Sequence, residues 1–322
     1  MSTEPLRPVW LDTDPGFDDW LTMLMLAADA RVDWVGTSVV AGNAPLDRTL
    51  ANALAIRQHY GLSAPIHVGC AAPLAGRLET AQRVLGQQGM RTRGVSLPPA
   101  SELPAGEDGV QALLDALHTN AQPMTVVAIG PLTNLATALA RDSSASARIR
   151  EVLLMGGSTD RGNHTPAAEF NIYADPEAAD VVFNAGIPLR MFGLNVCRQV
   201  LIDPSHVRQV RHWPGLRAQW LAGYLDAYQR LRSADGSVPM PLYDPVVTAW
   251  LAAPQLFEFS AARVDIELQG RFTRGMTVCD FKVDPQRPFN AQVAMGADGP
   301  AVVRVVMDCL HRSLSQGESS RP

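Results

Sequence analysis

The chain has 322 residues, of which 47% are hydrophobic and 18% charged, and its formal net charge is −5 at pH 7. This composition is typical of a globular protein with one large core, and we expect a single domain over residues 1–322. The sequence has no block of basic residues, which argues against nucleic acid as the main partner, because phosphate contacts need clustered Lys and Arg.

Strands and helices alternate along the first two thirds of the chain. Apolar runs predict strands at 9–11, 32–40, 66–68, 124–129, 151–155 and 188–192, and helices at 21–28, 46–60, 110–118, 132–140 and 177–184. The strands are continuous apolar runs, as in a parallel sheet that is covered on both faces. We therefore predict an α/β fold with an open, mostly parallel sheet flanked by helices and a Rossmann-like core.

The pattern changes after residue 195. We predict extra helices at 204–229 and 246–252, a short hairpin of strands 257–268 and 276–283, and a closing helix at 301–314. The polar tail, residues 313–322, is predicted to be frayed. Residues 71–109 are rich in Gly, Pro and Arg and have little periodicity, which is typical of a functional or mobile loop.

The cysteines and the apolar runs favour a cytoplasmic protein without membrane contact. The four cysteines are far apart and form no C-x-x-C pair, which indicates reduced thiols rather than a zinc or redox site. Residues 1–8 lack the features of a signal peptide, and no apolar run approaches the length of a membrane span.

Four aspartates lie within the string D-T-D-P-G-F-D-D, residues 12–19, directly after the first predicted strand. In open α/β sheets, ligands bind beyond the carboxyl ends of the strands. Carboxylates so close together repel one another, and a hard divalent cation held by oxygen ligands is the simplest compensation. The Pro-Gly pair forms a tight turn that allows several carboxylates to face one point. The alternative is a helix N-cap within a solvated acidic turn.

Further polar segments follow other predicted strands. Asn43 lies in A-G-N-A-P, residues 130–134 read G-P-L-T-N, and residues 162–171 offer two carboxamides and a carboxylate that suit sugar hydroxyls. Asp244 precedes a proline and, taken alone, is an ordinary N-cap.

Together these segments resemble the inosine-uridine nucleoside hydrolase family over residues 9–283, in the family's order. The D-T-D-P-G-F-D-D string is the most specific motif. It is supported by G-N, G-P-L-T-N, M-G-G, and E-F-N followed by D-P-E-A-A. The resemblance implies an N-ribosyl hydrolase that acts on a small nucleoside or riboside and assembles as a homodimer or homotetramer.

The resemblance also implies a Ca²⁺ site. At the matching positions, Asp14, Asp19, Asp244 and the backbone carbonyl of Ile129 would ligate the ion. Asp14 would also orient and deprotonate the metal-bound water, which makes it the general base. Asp244 would face the substrate as well, and Asp12 would support the loop from behind.

The family's sugar contacts map onto the remaining polar residues. Asp18, Asn43 and Asn171 would hold the ribose hydroxyls, and Asn163 and Glu169 would bind the 5′-hydroxyl side. Water would attack C1′ through a transition state that resembles an oxocarbenium ion, which nearby carboxylates stabilise.

The nucleobase side departs from the family pattern. Many members have a His immediately before the last metal aspartate as the leaving-group acid, and this chain has Tyr243. A His-Gly pair in the loop after the third strand has Leu85-Gly86 as its nearest counterpart. Tyr243 could stack on the base, which is our prediction, or donate a proton despite an ordinary pKa of about 10. The acid could instead be Tyr224, Tyr228, Arg232 or a residue of the loop at 71–109, or the substrate could be an unusual riboside.

Two other functions are compatible with parts of the sequence. One is a calcium-dependent ribose or nucleoside binding protein without turnover. The other is a phosphatase with an aspartate nucleophile in the D-T-D string, although the only lysine of the chain is Lys282. The sequence leaves the base preference open.

Overall fold

The computed structural model describes residues 5–316, and eleven strands lie within them. They are β1 (Arg7–Thr13), β2 (Val32–Val39), β3 (Ile66–Val68), β4 (Met124–Ala128), β5 (Ile149–Met155), β6 (Leu189–Phe192), β7 (Leu201–Ile202), β8 (Met240–Pro241), β9 (Phe257–Ile266), β10 (Thr277–Asp280) and β11 (Ala291–Ala297). Nine form one sheet in the order β10-β9-β11-β6-β5-β4-β1-β2-β3, and β7 pairs with β8. Strands β1 to β6 and β11 are parallel, whereas β9 and β10 are antiparallel to their neighbours.

Twelve α-helices surround the sheet within the described residues. They are α1 (Phe17–Ala28), α2 (Leu46–Tyr60), α3 (Gln82–Leu85), α4 (Gly109–Thr119), α5 (Thr133–Arg141), α6 (Phe170–Ala174), α7 (Pro176–Phe183), α8 (Leu194–Cys197), α9 (Pro204–His212), α10 (Gly215–Gln229), α11 (Asp244–Ala252) and α12 (Gly299–Gln316). Short 3₁₀ helices cover Ser143–Arg148 and Pro254–Leu256. None of these helices combines the length and the apolar composition that a membrane crossing needs.

The sheet is buried on both faces, which explains its continuous apolar strands. In β1, Val9 and Leu11 belong to one hydrophobic cluster and Trp10 to a second cluster on the opposite face. Side chains of successive strand residues point to opposite faces, so the central strands need apolar residues at nearly every position, whereas β9 and β10 also contain exposed residues. The predicted α/β class with a mostly parallel sheet is therefore confirmed, including the hairpin of β9 and β10.

The C-terminal third differs from the prediction in two details. Strand β11 was missed, because its sequence A-Q-V-A-M-G-A has a single β-branched residue. Helix α12 continues through Gln316, into the segment predicted to be frayed, and Leu314 is buried in the core. The rest of that tail, residues 317–322, lies outside the described residues.

Candidate active site

The carboxyl ends of β1, β2 and β4 meet at one edge of the sheet. In register, Asp12 of β1 pairs with Ser38 of β2 and Ala128 of β4. The chain segments that follow these strands carry the aspartates of residues 14–19, Asn43 and the segment of residues 129–134, whereas Asn163, Glu169 and Asn171 follow β5 and Asp244 follows β8. The segments that follow β1, β2 and β4 therefore lie beside one another.

Asp19 organises the turn that contains the aspartates. Helix α1 begins directly after Gly16, and the Asp19 side chain accepts a hydrogen bond from the Gly16 N–H at 2.9 Å, as in a capping box. The same carboxylate accepts from Thr13 Oγ1 at 2.5 Å and from Asn43 Nδ2 at 3.1 Å. Asp19 therefore fixes the shape of the turn in addition to its predicted metal role.

Asp14 lies at the centre of the turn with one oxygen unpaired. Its Oδ2 accepts from the Asn43 N–H at 2.6 Å, whereas its buried Oδ1 has no hydrogen-bond partner among the described residues. A Cβ at Gly42 would lie 2.1 Å from Oδ2, and one at Gly130 would lie 2.8 Å from Oδ1. Two glycines thus leave just enough room for this carboxylate, and its free oxygen is available to a cation or a water.

Asp18, Asp19 and Asp244 converge, with carboxylate oxygens within 4.8 Å of one another. Burial, followed by the charge of Asp19, raises the pKa of Asp18 to about 7. Burial and the charges of neighbouring aspartates, Asp18 first, raise the pKa of Asp244 well above its ordinary value. Burial, then Asp19, does the same for the pKa of Asp14. A cation at this point would favour all of the charged forms.

These residues fit an alkaline-earth cation. The donors are carboxylate oxygens, which Ca²⁺ and Mg²⁺ prefer. The tightest group contains Asp18, which we had assigned to ribose, and omits Asp14, which we had assigned to the metal. Asp14 is fully buried, whereas Asp18 is 9% exposed and is therefore more accessible to a substrate.

The Ile129 carbonyl remains compatible with metal ligation. It accepts a hydrogen bond from Asn171 Nδ2 at 2.9 Å, and a carbonyl oxygen has a second lone pair. The same Nδ2 donates to the Met155 carbonyl at 3.1 Å. Because both amide protons of Asn171 are used, only its Oδ1 remains for the predicted ribose contact.

Glu169 and Asn163 shape the loop between β5 and α6. Glu169 is the N-cap of α6 and accepts from the backbone N–H groups of Asn171 at 2.9 Å and Gly157 at 3.0 Å. Burial raises the pKa of Glu169 to about 7. Asn163 is exposed, and its Oδ1 accepts from the Phe170 N–H at 2.9 Å. Both residues therefore form hydrogen bonds within the protein, in addition to the contact with the 5′-hydroxyl that we predict.

Asp12 lies behind the turn, where the sequence placed it. Its Oδ2 accepts from the Ser38 hydroxyl and from Asn134 Nδ2, the latter at 2.9 Å. Asn134 Oδ1 in turn accepts from the Cys70 N–H at 2.7 Å. Burial raises the pKa of Asp12 to about 7. This network connects the ends of β1 and β2 with α5 and with the start of the long loop.

Tyr243 immediately precedes α11, whose first residue is the acidic Asp244. The ring is half-buried, and burial, followed by the charge of Asp18, raises the pKa of Tyr243 far above its ordinary value. Tyr228 donates to the Pro241 carbonyl at 2.8 Å and lies 3.4 Å from Asp18 Oδ2. Burial raises the pKa of Tyr228 as well, so both phenols are weaker acids than free tyrosine.

Two supporting residues were missed in the sequence. Asp175 is fully buried and accepts from Thr133 Oγ1 at 2.6 Å and from the Leu74 N–H at 2.8 Å, so it attaches the long loop to α5. Asn52 on α2 donates to backbone carbonyls of the aspartate turn and of the same loop. The Asp-Pro pair at 175–176 is an N-cap signal for α7, whereas nothing local in the sequence marks Asn52.

Comparisons with known proteins agree with this geometry. Residues 9–304 match the family model described as inosine-uridine preferring nucleoside hydrolase. The chain is 38% identical over 307 residues to the pyrimidine-specific ribonucleoside hydrolase RihA of Shewanella sp. (strain MR-7), which covers 94% of this chain and 96% of that protein. The corresponding protein of Photobacterium profundum is 36% identical over 94% of this chain and 98% of its own length.

Solved structures give the same result. A plant nucleoside hydrolase, PpNRh1, superposes with a TM-score of 0.87 at 26% identity, covering 95% of this chain and 99% of that one. A purine-preferring ribonucleoside hydrolase from Gardnerella vaginalis also gives 0.87 at 26% identity, over 98% of this chain and 100% of its own. The chain therefore belongs to the inosine-uridine preferring nucleoside hydrolase family, as an enzyme that hydrolyses the N-glycosidic bond of ribonucleosides.

Proposed function

We propose that this enzyme is a Ca²⁺-dependent pyrimidine ribonucleoside hydrolase in which Asp14 is the general base. The observation that carries the metal site is the unpaired Oδ1 of Asp14 beside three convergent carboxylates. Asp14, Asp19, Asp244 and the carbonyl of Ile129 would hold the ion. Bound there, Ca²⁺ supplies positive charge that orients the attacking water and makes it more acidic.

The chain's own residues then carry out the hydrolysis. The water oxygen forms a bond to C1′, its proton passes to the free Oδ1 of Asp14, and the C1′–N bond breaks. The electron pair of that bond leaves with the nucleobase, which takes up a proton from bulk water. Positive charge develops on the ribose ring, and the carboxylates at the end of β1 stabilise it.

Exposure and unused hydrogen-bonding groups support the sugar contacts that the family resemblance implies. Asp18 is more exposed than Asp14, Asp19 and Asp244, and we assign it to a ribose hydroxyl. Asn171 Oδ1 would accept a hydrogen bond from a second ribose hydroxyl. Asn43, which follows β2, would contact the same hydroxyls. Exposed Asn163 would reach the 5′-hydroxyl directly, with Glu169 behind it.

Tyr243 would contact the nucleobase through its ring. Its raised pKa and its position next to Asp244 make it a poor proton donor at neutral pH, whereas its flat face suits an aromatic base. Tyr243→Phe keeps the ring and removes the proton, so we expect nucleoside turnover within about threefold of wild type. A collapse to background would identify the hydroxyl as the acid.

The substrate class is proposed from the relatives. Proteins named pyrimidine-specific match nearly the whole chain at 36–38% identity, which favours uridine and cytidine over purine nucleosides. Assaying released ribose from uridine, cytidine, inosine and adenosine tests this. A preference for either purine by tenfold or more in kcat/KM would contradict the proposed specificity without affecting the proposed metal site.

Calcium is tested separately by removing and restoring metal ions. After chelation we expect turnover of every riboside to be lost and then recovered with Ca²⁺ more fully than with Mg²⁺, because the carboxylate set suits a larger, flexible coordination shell. Undiminished turnover after exhaustive chelation would contradict the metal site.

We further propose a cytoplasmic homodimer or homotetramer, which light scattering on the purified enzyme would test.

A further inference from the structure

A buried carboxamide on α2 connects two loops at the mouth of the site. Asn52 is 8% exposed, and its Nδ2 donates to the Pro15 carbonyl at 2.8 Å and to the Gln88 carbonyl at 2.7 Å. A primary amide has two N–H protons, and both are used here. Pro15 belongs to the aspartate turn, and Gln88 belongs to the long loop between β3 and α4.

The long loop packs directly on the aspartate turn around this connection. The Gly89 carbonyl oxygen would lie 3.1 Å from a Cβ at Gly16, and Gly89 adopts a positive φ of 73°. The Ala81 N–H donates to the Gly42 carbonyl at 3.2 Å. Residues 81–90 therefore lie over the ends of β1 and β2, beside the carboxylates.

The following residues of the loop bind α10. The Arg93 N–H donates to the Gly223 carbonyl at 3.1 Å, and the Leu97 N–H donates to the Tyr224 hydroxyl at 3.3 Å. In the sheet, β2 and β3 lie on one side of β1, whereas β5, which leads into the Asn163 and Glu169 loop, lies on the other. The beginning of the loop reaches the β5 side, where the Leu74 N–H donates to Asp175, whereas residues 87–97 lie on the side of β2 and α10, away from the loop that we assign to the 5′-hydroxyl.

We propose that Asn52 is a positioning residue for nucleoside hydrolysis. It holds residues 87–90 of the long loop against the aspartate turn. These residues, which would contact the nucleobase, therefore keep a fixed position relative to the carboxylates that would hold the sugar. This inference rests on the proposed function, which places ribose at the aspartate turn, and it adds that the nucleobase lies beside residues 87–90. Asn52 touches no reacting atom and acts through the Pro15 and Gln88 carbonyls.

The same helix supplies a matched control. Gln58 is also a carboxamide of α2 that binds the long loop, through hydrogen bonds from the Ser101 N–H at 2.8 Å and the Glu102 N–H at 3.0 Å. Those contacts are exposed or half-buried and lie at the far end of the loop. Gln58→Ala therefore loosens the loop without releasing residues 87–90.

The experiment compares Asn52→Leu and Gln58→Ala on uridine and on 4-nitrophenyl riboside, whose leaving group departs without help from the base side. Asn52→Leu should lower kcat/KM for uridine about 30-fold, which corresponds to the loss of two buried hydrogen bonds. The same variant should lower kcat/KM for the nitrophenyl riboside by less than about threefold. Amide hydrogen exchange across residues 85–92 should rise in Asn52→Leu and stay at the wild-type level in Gln58→Ala.

Equal losses on both substrates, or exchange across residues 85–92 that matches Gln58→Ala, would overturn the proposal. If Asn52→Leu fails to fold, Asn52→Ser keeps one donor and should give about half the effect on the logarithmic scale. If the wild-type enzyme cleaves neither riboside, the proposed function fails. The exchange comparison then still decides whether Asn52 holds the loop.

Discussion

The sugar side and the base side of this site are built in different ways. On the proposed sugar side, Asp14 and Asp19 are fully buried, and hydrogen bonds within the aspartate turn and from Asn43 after β2 fix their positions. On the proposed base side, Tyr243 is half-buried, and the loop at residues 71–108 has little regular structure beyond α3. We therefore expect hydrolysis of the ribosyl bond to depend on the buried ends of β1 and β2, and base recognition to depend on a loop that distant residues such as Asn52 hold in place.

Asp244→Asn, on the proposed sugar side, is expected to have the largest effect on turnover among the variants that compare the two sides. Turnover of all ribosides should fall by at least about a hundredfold at limiting Ca²⁺ and recover in part with excess Ca²⁺. In chelator, the variant should be more stable than wild type to urea at pH 7. Burial and neighbouring charges raise the pKa of Asp244, so its ionised form destabilises the metal-free fold as pH rises above the ordinary carboxyl range.

These two measurements separate a metal ligand from a packing residue. A loss of stability in chelator together with activity that excess Ca²⁺ cannot restore would assign Asp244 to the structure of α11 alone. The control is Asp265→Asn, which removes a carboxylate on β9 that is paired with arginine and lies outside the acidic cluster.

A smaller, selective effect is expected from Tyr243→Ala on the base side. Loss of one stacked ring should lower kcat/KM for uridine about 10- to 100-fold, because stacking of a base on an aromatic side chain stabilises binding by about 1–3 kcal/mol. Turnover of 4-nitrophenyl riboside should change by less than about threefold. A parallel decrease on both substrates would show that Tyr243 serves the metal and sugar side instead, and the contrast between the two sides would not hold.

The smallest effect is expected from the attachment of the long loop to α10. Asp226 of α10 contacts Arg93 of the loop at 3.4 Å, Arg211 of α9 at 3.1 Å, and Arg230, which directly follows α10, at 3.2 Å. We expect Asp226→Asn to raise KM for uridine about two- to fivefold with little change in kcat, since partly exposed ion pairs contribute about 1 kcal/mol or less. Unchanged steady-state kinetics at both low and high salt would mean that this ion pair does not hold the loop.

Sequence and structure agree best where the chemistry is local. The acidic string, its turn and the start of α1 could be predicted because a proline, a glycine and four aspartates within eight residues restrict the backbone and the charge together. The alternation of apolar runs predicted the parallel sheet for a similar reason, since strands buried on both faces need apolar residues throughout.

Elements that depend on distant contacts could not be predicted. Strand β11 forms because it is inserted between β6 and β9, although its own β propensity is low. Asn52 and Asp175 bind backbone groups far away along the chain, and no spacing within the sequence indicates such partners. The entry of Asp18 into the tightest carboxylate group likewise results from the position of α11, which brings Asp244 to the turn.

The most direct test of the account is Asp14→Asn, assayed in Ca²⁺ with uridine and with 4-nitrophenyl riboside. Loss of the general base should slow both substrates by about 10²–10⁴-fold, because water must be activated whichever group leaves. Unfolding in urea should remain cooperative, since the asparagine occupies the same space beneath Gly42 and Gly130. Turnover of the nitrophenyl riboside within about tenfold of wild type would contradict the assignment of Asp14 as the base and, with it, the proposed mechanism.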